Sequence, residues 1–349
     1  MNIGRVRHTA IKWAARTFWN MPGRFGLARV LGPGYSLRCV VFHDVSESES
    51  PFTKGLGVTI TPAQFEGALR FLTRYYNPVS LQEVLAGSRA RRLPARPILV
   101  TFDDGYASTM NAAVLCHRRG VPATFFLNAA FIDNNRLAPD NLICYAMNVF
   151  GLDAMNQAIR AAKGSGFRTV RSLPEIFSSF LPGLSLTERE TFLDALIGST
   201  GVDGRQLAAQ AALYCTRNQV STLSSLGFEI GNHTYSHVHC RLLTARDLDR
   251  EIDRNKTELE TQSGMQVRAF SLPYGSSVDL TEDVAAHLQR SGHEAVFFSE
   301  SVANPPGADT FRLDRIGSRA ASDDLIFFEI EVLPRLRAMR NRLRSVSGN

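Results

Sequence analysis

Two carboxylates stand side by side in the run Thr101-Phe102-Asp103-Asp104-Gly105, directly after the apolar stretch Pro97-Ile98-Leu99-Val100. Taking one carboxylate out of water costs several kcal/mol unless it is paired or bound to a metal, so an adjacent pair closing a buried strand calls for a cation, a shared proton or access to water. Taken alone, the run also fits a solvated Asp-Asp-Gly turn. A second polar run follows about 130 residues later, Phe228-Glu229-Ile230-Gly231-Asn232-His233-Thr234-Tyr235-Ser236-His237. Two histidines at i and i+4 would project from one face of a helical turn, the spacing that lets both imidazoles reach one zinc ion. With eight His in the chain, such a pair also arises on a surface without any ligand role. A third apolar run, Val267 to Leu272, ends in Pro273-Tyr274-Gly275. Three polar motifs, each behind an apolar run of strand length, match the way parallel α/β barrels gather catalytic groups at one end.

These runs resemble the polysaccharide deacetylases, carbohydrate esterase family 4, over roughly residues 38 to 135 and 216 to 320. The resemblance implies that Asp103 is the general base and that Asp104, His233 and His237 hold a divalent metal, with Zn2+ the expected ion. It also places Pro273 and Tyr274 against the substrate, the backbone N–H of Tyr274 facing the oxyanion. One Asp and two His leave coordination positions open, as a catalytic metal needs, and such an ion lowers the pKa of a bound water from about 16 towards 7.

Two positions depart from the family pattern. The third motif in the family reads Arg-x-Pro-Tyr or Arg-x-Pro-Phe, its Arg pairing with the base, whereas this chain has Ser271 there. Asp103 is then either less firmly held or paired with another cation, with Arg268, Arg312 and Arg315 the candidates. The late Leu-x-His motif that supplies the usual general acid is missing. His43, in Val41-Phe42-His43-Asp44-Val45, takes its place, resembling exopolysaccharide deacetylases that draw the acid from an early strand end and close on an Arg-x-x-Arg-Ile-like run, here Arg312 to Ile316. Asp44 is expected to favour the charged form of His43. His293 precedes a strand instead of following one, which puts it on the opposite face.

The implied activity is metal-dependent hydrolysis of N-acetyl groups from N-acetylhexosamine units of a bacterial polysaccharide or a lipid-linked saccharide precursor. Two alternatives stand beside it: a deformylase or deacetylase of a lipid-attached amino sugar, and a degenerate barrel that binds saccharide without turning it over. Retention of the ligands together with the base weighs against the last.

The elements that must position these groups read as an irregular (β/α) barrel of about seven strands with a helical insertion. Strand-like runs fall at about 38 to 43, 97 to 102, 122 to 128, 227 to 231, 267 to 272, 294 to 299 and 310 to 316. Helix starts lie between them. Thr61-Pro62-Ala63-Gln64 offers an N-cap, a Pro at N1 and a capping Gln; Thr244 to Asp247 opens a helix that Gly264 stops. Residues about 133 to 215 carry helical patterns only, including a capping box at Thr187 and Glu190. That insertion is expected at the rim of the cleft. The barrel is thus assigned to 38–325, flanked by a basic amphipathic segment at 1–37 and a basic helix or tail at 326–349.

Charge follows this division. The chain has 39 Lys and Arg against 33 Asp and Glu, yet residues 1 to 43 hold seven basic residues and no acid, and residues 334 to 349 hold five Arg and no acid. The body between is therefore acidic, which with the lack of a recognition motif excludes nucleic acid as the expected partner. Five cysteines without Cys-x-x-Cys spacing read as reduced, buried thiols. No run has the length of a transmembrane helix, and Lys12 and Arg16 interrupt any signal-peptide core. Instead, Ile3, Val6, Ala10, Trp13, Ala14, Thr17 and Met21 share one helical face with Arg5, Lys12 and Arg16 opposite. That pattern fits either a helix lying in an anionic membrane interface or one capping the barrel. The expected location is cytoplasmic, peripheral on the inner face of the membrane.

Overall fold

The computed structural model describes residues 3–26, 37–90, 93–164, 168–302, 304–305, 307–318 and 322–347. Eleven strands lie among them: β1 Arg38–Phe42, β2 Asp44–Val45, β3 Thr59–Ile60, β4 Asn77–Pro78, β5 Pro97–Phe102, β6 Ala123–Leu127, β7 Glu229–Asn232, β8 Ala269–Ser271, β9 Ala295–Phe298, β10 Leu313–Asp314 and β11 Ile316–Gly317. Nine form one parallel sheet in the order β10-β9-β8-β7-β6-β5-β1-β11, with β4 alongside β5. The two ends of that order are consecutive in sequence. Leu313 pairs with Phe297 while Ile316 pairs with Val40, so one kinked stretch closes the ring through Arg315. Counting it once gives seven staves, the irregular barrel expected.

Alternation along the strands sorts the core. Cys39, Leu99, Phe126, Ala269, Ala295, Phe297 and Leu313 come from almost every stave and join in one buried apolar cluster, which fills the ring. Their neighbours Val40, Phe42, Ile98, Val100, Phe102 and Phe125 turn outward against the helices. Asp103 continues the inward phase of Leu99 and Thr101, and so aims at the barrel axis.

Thr61 and Gln64 form the expected capping box on the helix Pro62–Tyr75, and Thr244 and Asp247 do the same for theirs. In the insertion the box is displaced by two residues. Ser185 and Glu188, not Thr187 and Glu190, cap the helix Leu186–Thr200, because Ser185 takes the extended conformation that an N-cap needs. The helices from Pro139 to Ala211 wrap a core of their own that includes Ile143, Met155, Ile159, Ile176, Phe192 and Leu196. All five cysteines are buried and free.

Both termini pack on the barrel's outer layer. The helix Ile3–Asn20 docks through Ala15, Phe18 and Trp19, with Trp19 5.8 Å from Phe327 and Phe18 6.2 Å from Phe328. This contact face is rotated from the expected one: Trp13 is 73% exposed and Ile11 46% exposed, both turned away from the barrel. Two aromatic side chains, Phe18 and Trp19, make the contact with the barrel, whereas the anticipated face offers one, Trp13. Arg29 and the side chains of Ile3, Arg5, Val6 and Ala10 lie outside the described residues. The boundary drawn at 325 falls inside a continuous helix. Ile326, Phe327, Ile330 and Val332 belong to the core, and Glu331 pairs with Arg38 of β1 at 2.6 Å. Among the described residues no helix is long and apolar enough to cross a membrane.

Candidate active site

Strand register brings the polar motifs together at the carboxyl ends of the staves. Val41 pairs with Thr101 and Phe42 with Phe102, and the Asp103 N–H donates to the Phe42 carbonyl at 3.0 Å, so His43 and Asp103 leave adjacent strands side by side. Leu127 pairs with Asn232, and the His233 N–H donates to the Leu127 carbonyl at 3.1 Å. His233 in turn reaches across to β8, where Nδ1 lies 2.8 Å from the Ser271 carbonyl. That bond puts the proton on Nδ1 and leaves Nε2 for a ligand.

The histidine pair does not lie on a helical turn. Residues 233 to 239 form an irregular loop with Thr234 and His237 at positive φ, 62° and 55°. Buried polar side chains hold this loop in place of helical hydrogen bonds. Asn232 Oδ1 accepts from the Thr234 N–H at 3.0 Å, Glu251 accepts from the N–H and hydroxyl of Ser236, and Asn128 donates to the Thr234 carbonyl at 2.8 Å. Arg189, from the insertion, donates to the carbonyls of Ser236 and His237 at 3.0 and 2.7 Å. Asp104 and Tyr274 are likewise left-handed, at 69° and 61°. Each such non-glycine residue costs about 1–3 kcal/mol, and a group of them at strand ends marks a place where geometry is imposed for use. Gly275 also has positive φ, and a Cβ there would sit 2.4 Å from that of Ser299.

Asp104, His233 and His237 converge. Asp104 Oδ1 is buried, has no hydrogen-bond partner, and lies 3.3 Å from His233 Nε2 and 3.5 Å from His237 Nε2. A partnerless buried carboxylate oxygen facing two imidazole nitrogens is a donor set suited to a divalent cation such as zinc. Asp103 sits behind them, its Oδ2 3.8 Å from His233 Nε2.

The cation that serves Asp103 is Arg315. Nη1 and Nη2 meet Oδ1 and Oδ2 at 2.7 and 2.6 Å, while Arg268 pairs with Glu294 and Arg312 is exposed. Burial pushes the Asp103 carboxyl up, but Arg315, then His233, bring it below the ordinary carboxylate range. The same contest lowers Asp104, where burial is outweighed by the three neighbouring histidines. His43 lines the cleft but is held below its usual value by burial, against the opposing pull of Asp104 and Asp103. Asp44 does not take the part expected of it. Its oxygens accept from Ser46, Thr59 and Ser108, which anchors β2 instead of charging His43. His293 is buried outside the ring against Phe270 and Asn232, away from the cleft.

The cleft encloses about 390 Å3 and is walled by apolar groups, among them Leu56, Phe131, Ala138, Pro174 and Phe177. Two of its polar residues were not foreseen from the sequence. Asp140, on the insertion helix Pro139–Val149, approaches His237 and Tyr274, and Ser299 bonds Arg315. Neither sits in a motif, and helical spacing around Asp140 signals only a capped helix start.

The polysaccharide deacetylase family profile matches residues 90–175 and 185–296. The fold is shared with the Streptococcus pyogenes deacetylase PplD in complex with acetate, at TM-score 0.56 and 14% identity over 86% of this chain and 99% of that one. IcaB from Ammonifex degensii follows at 0.53 and 19% over 87% and 98%, and a de-N-acetylase from Aggregatibacter actinomycetemcomitans at 0.51 and 16% over 80% and 93%. At these identities the likeness establishes the barrel fold. A curated relative, the uncharacterized protein YlxY of Bacillus subtilis (strain 168), is 32% identical over 76 residues, 21% of this chain and 24% of that protein. The matched segment thus spans about a quarter of that relative's length.

Proposed function

The chain belongs to the polysaccharide deacetylase family, and from that premise we propose that it hydrolyses the acetamido group of N-acetylhexosamine units in a polysaccharide or lipid-linked saccharide precursor. The observation that carries the reading is the Asp103 carboxylate, ionised and fixed by Arg315 beside the convergent Asp104, His233 and His237. Those three residues would hold a divalent ion, which when bound activates water and polarises an amide carbonyl.

The chain's own groups then divide the work. Asp103 accepts the proton of the attacking water as its oxygen joins the amide carbon. The backbone N–H of Tyr274 donates to the oxygen that gains charge. His43, protonated for the purpose, gives its proton to the amine nitrogen as the carbon–nitrogen bond breaks, leaving acetate and a free amino sugar. Burial opposes the protonated form of His43, and the nearby Asp104 and Asp103 carboxylates favour it, so the acid role depends on that pair of charges.

A second reading, a deacetylase or deformylase of a lipid-attached amino sugar, is supported by the apolar cleft walls and by Trp13 and Ile11 on the outer face of the N-terminal helix beside Lys12 and Arg16. On that reading the outward face rests on an anionic lipid surface. One panel separates the possibilities. Zinc-loaded protein is incubated with N-acetylated oligosaccharides and with N-acetylated and N-formylated glycolipids, and released acetate and formate are measured. Release from oligosaccharides supports the first reading and release from glycolipids alone the second; binding with no release by any substrate leaves a saccharide-binding barrel.

A further inference from the structure

His233 and His237 are oriented by different parts of the molecule. The barrel itself orients His233, whose Nδ1–H finds the Ser271 carbonyl on the neighbouring strand end. His237 lies in the irregular loop, at φ 55°. Its Nδ1 lies 2.6 Å from Oδ2 of Asp140, which comes from the insertion; the two are in ion-pair contact without the alignment of a hydrogen bond. Asp140 Oδ1 accepts a hydrogen bond from the Tyr274 hydroxyl at 3.0 Å.

We infer that Asp140 is a positioning residue that fixes the tautomer and ring angle of His237 and ties it to the Tyr274 loop, so that metal affinity depends on the insertion. The inference rests on the metal-hydrolase reading above. A carboxylate this close to Nδ1 favours the proton on that nitrogen and leaves the Nε2 lone pair for the side facing Asp104 Oδ1, 3.5 Å away. It also adds a third carboxylate around the donor set, beside the guanidiniums of Arg315 on Asp103 and Arg189 on the loop carbonyls, and so favours a dication.

The carboxylate is set in place before any ligand arrives. Asp140 is 8% exposed in the first turn of its helix. The next residue, Asn141, is locked by the Tyr106 and Tyr214 hydroxyls at 2.8 and 2.5 Å and by the Phe52 carbonyl. Arg189 grips the backbone of the same His loop from a second insertion helix. The insertion therefore does more than border the cleft: one of its helices holds the loop's carbonyls and another holds the ligand's ring.

Zinc affinity, measured by competition with a chromophoric chelator, tests this without turnover. Asp140→Asn keeps the shape and removes the charge; it is expected to weaken zinc binding about 10- to 100-fold while leaving the melting temperature of the metal-free protein unchanged. Leu142→Ala loosens the apolar core under the same helix without touching His237, and is expected to lower that melting temperature with near wild-type zinc affinity. Equal zinc affinity in Asp140→Asn and wild type would overturn the positioning role and leave the hydrolase reading standing, as would equal weakening by Leu142→Ala. The expected pattern in a protein that releases no acetate would sink the hydrolase reading alone.

Discussion

Arg315 and Asp103, 212 residues apart, meet as a buried two-pronged pair with both guanidinium nitrogens on both carboxylate oxygens, at 2.7 and 2.6 Å. Arg315 sits at the kink that closes the barrel, and the family's usual arginine position is filled by Ser271. The serine hydroxyl accepts from Arg315 at 2.7 Å and donates to Asp103 at 3.3 Å, so the small side chain leaves room for a guanidinium arriving from another strand. Thr101 and the Phe298 carbonyl accept its remaining two N–H groups, and Ser299 shares Nη2 with Asp103 and Ser271. The carboxylate is thereby held ionised deep in the ring, where burial alone would raise its pKa.

Arg315→Met should therefore reverse that balance. Without the guanidinium, burial raises the Asp103 pKa, and a base must be deprotonated to act, so the acid limb of the pH–rate profile is expected to move to higher pH. Turnover at pH 7 should fall by about 10²–10⁴, the range for a lost general base, and stability by about 3–5 kcal/mol, the cost of breaking a buried pair. An acid limb left at its wild-type pH would show that Arg315 does not set the state of the base.

Histidines 43 and 293 should separate cleanly. His43 lines the cleft beside Asp103, and His293 does not. His43→Ala is expected to lose about 10²–10⁴ in deacetylation rate while keeping its metal, as for removal of a general acid. His293→Ala should retain near-normal turnover. Comparable rates for the two variants, each checked for metal content, would remove His43 from the mechanism.

The strand ends were legible because each carries the same signal, an alternating or continuous apolar run that stops at polar residues. Asp103, His233 and Tyr274 all announce themselves so. The loop around His237 was not, since four-residue spacing reads as a helical turn while its left-handed backbone is imposed from outside by Asn128, Arg189 and Glu251. Arg315 could be named only as one of three candidates. It lies between two strand stubs of two residues each, and which arginine turns inward depends on how the ring closes. Asp140 carries no local signal, because its partner is 97 residues away in another element. Phe18 and Trp19 were hidden because they lie off the apolar face that periodicity picks out, Trp19 among the basic residues opposite it.

His293 makes a separate statement about stability. Its Nε2 faces the Asn232 amide nitrogen at 3.3 Å and its Nδ1 the Ser291 hydroxyl at 2.9 Å, whose own proton goes to the Leu288 carbonyl. The neutral ring satisfies both contacts, whereas a protonated ring would set one N–H against another. Burial, the larger cause, pushes the group down to about 3. A histidine depressed in the folded state contributes stability that is present above the unfolded pKa near 6.5 and is lost as pH falls from there towards 3. Between pH 7.5 and 5.0 this one group should cost about 2 kcal/mol, visible as a drop in denaturant midpoint. In His293→Gln the fall over the same interval should be smaller by that amount; identical slopes would mean the ring titrates normally in the folded chain.

The outward face of the N-terminal helix gives the last prediction. Trp19 is used up in docking, tilted against Phe71, edge-on to Phe327 and covered by Arg24 at 3.9 Å. Trp13 and Ile11 are free of the barrel, flanked by exposed Lys12 and Arg16. An amphipathic surface of this kind buries its aromatic in the headgroup layer, and each basic residue near an anionic surface adds about 1 kcal/mol. Vesicles containing phosphatidylserine should therefore sediment the wild-type protein at low salt and release it as salt is raised. Trp13→Ala should weaken that binding through the apolar share, and Lys12→Gln with Arg16→Gln through the charge share and its salt dependence. None of these substitutions touches the docked face, so the melting temperature should hold. Sedimentation that is indifferent to all three changes would leave the helix as a cap on the barrel and nothing more.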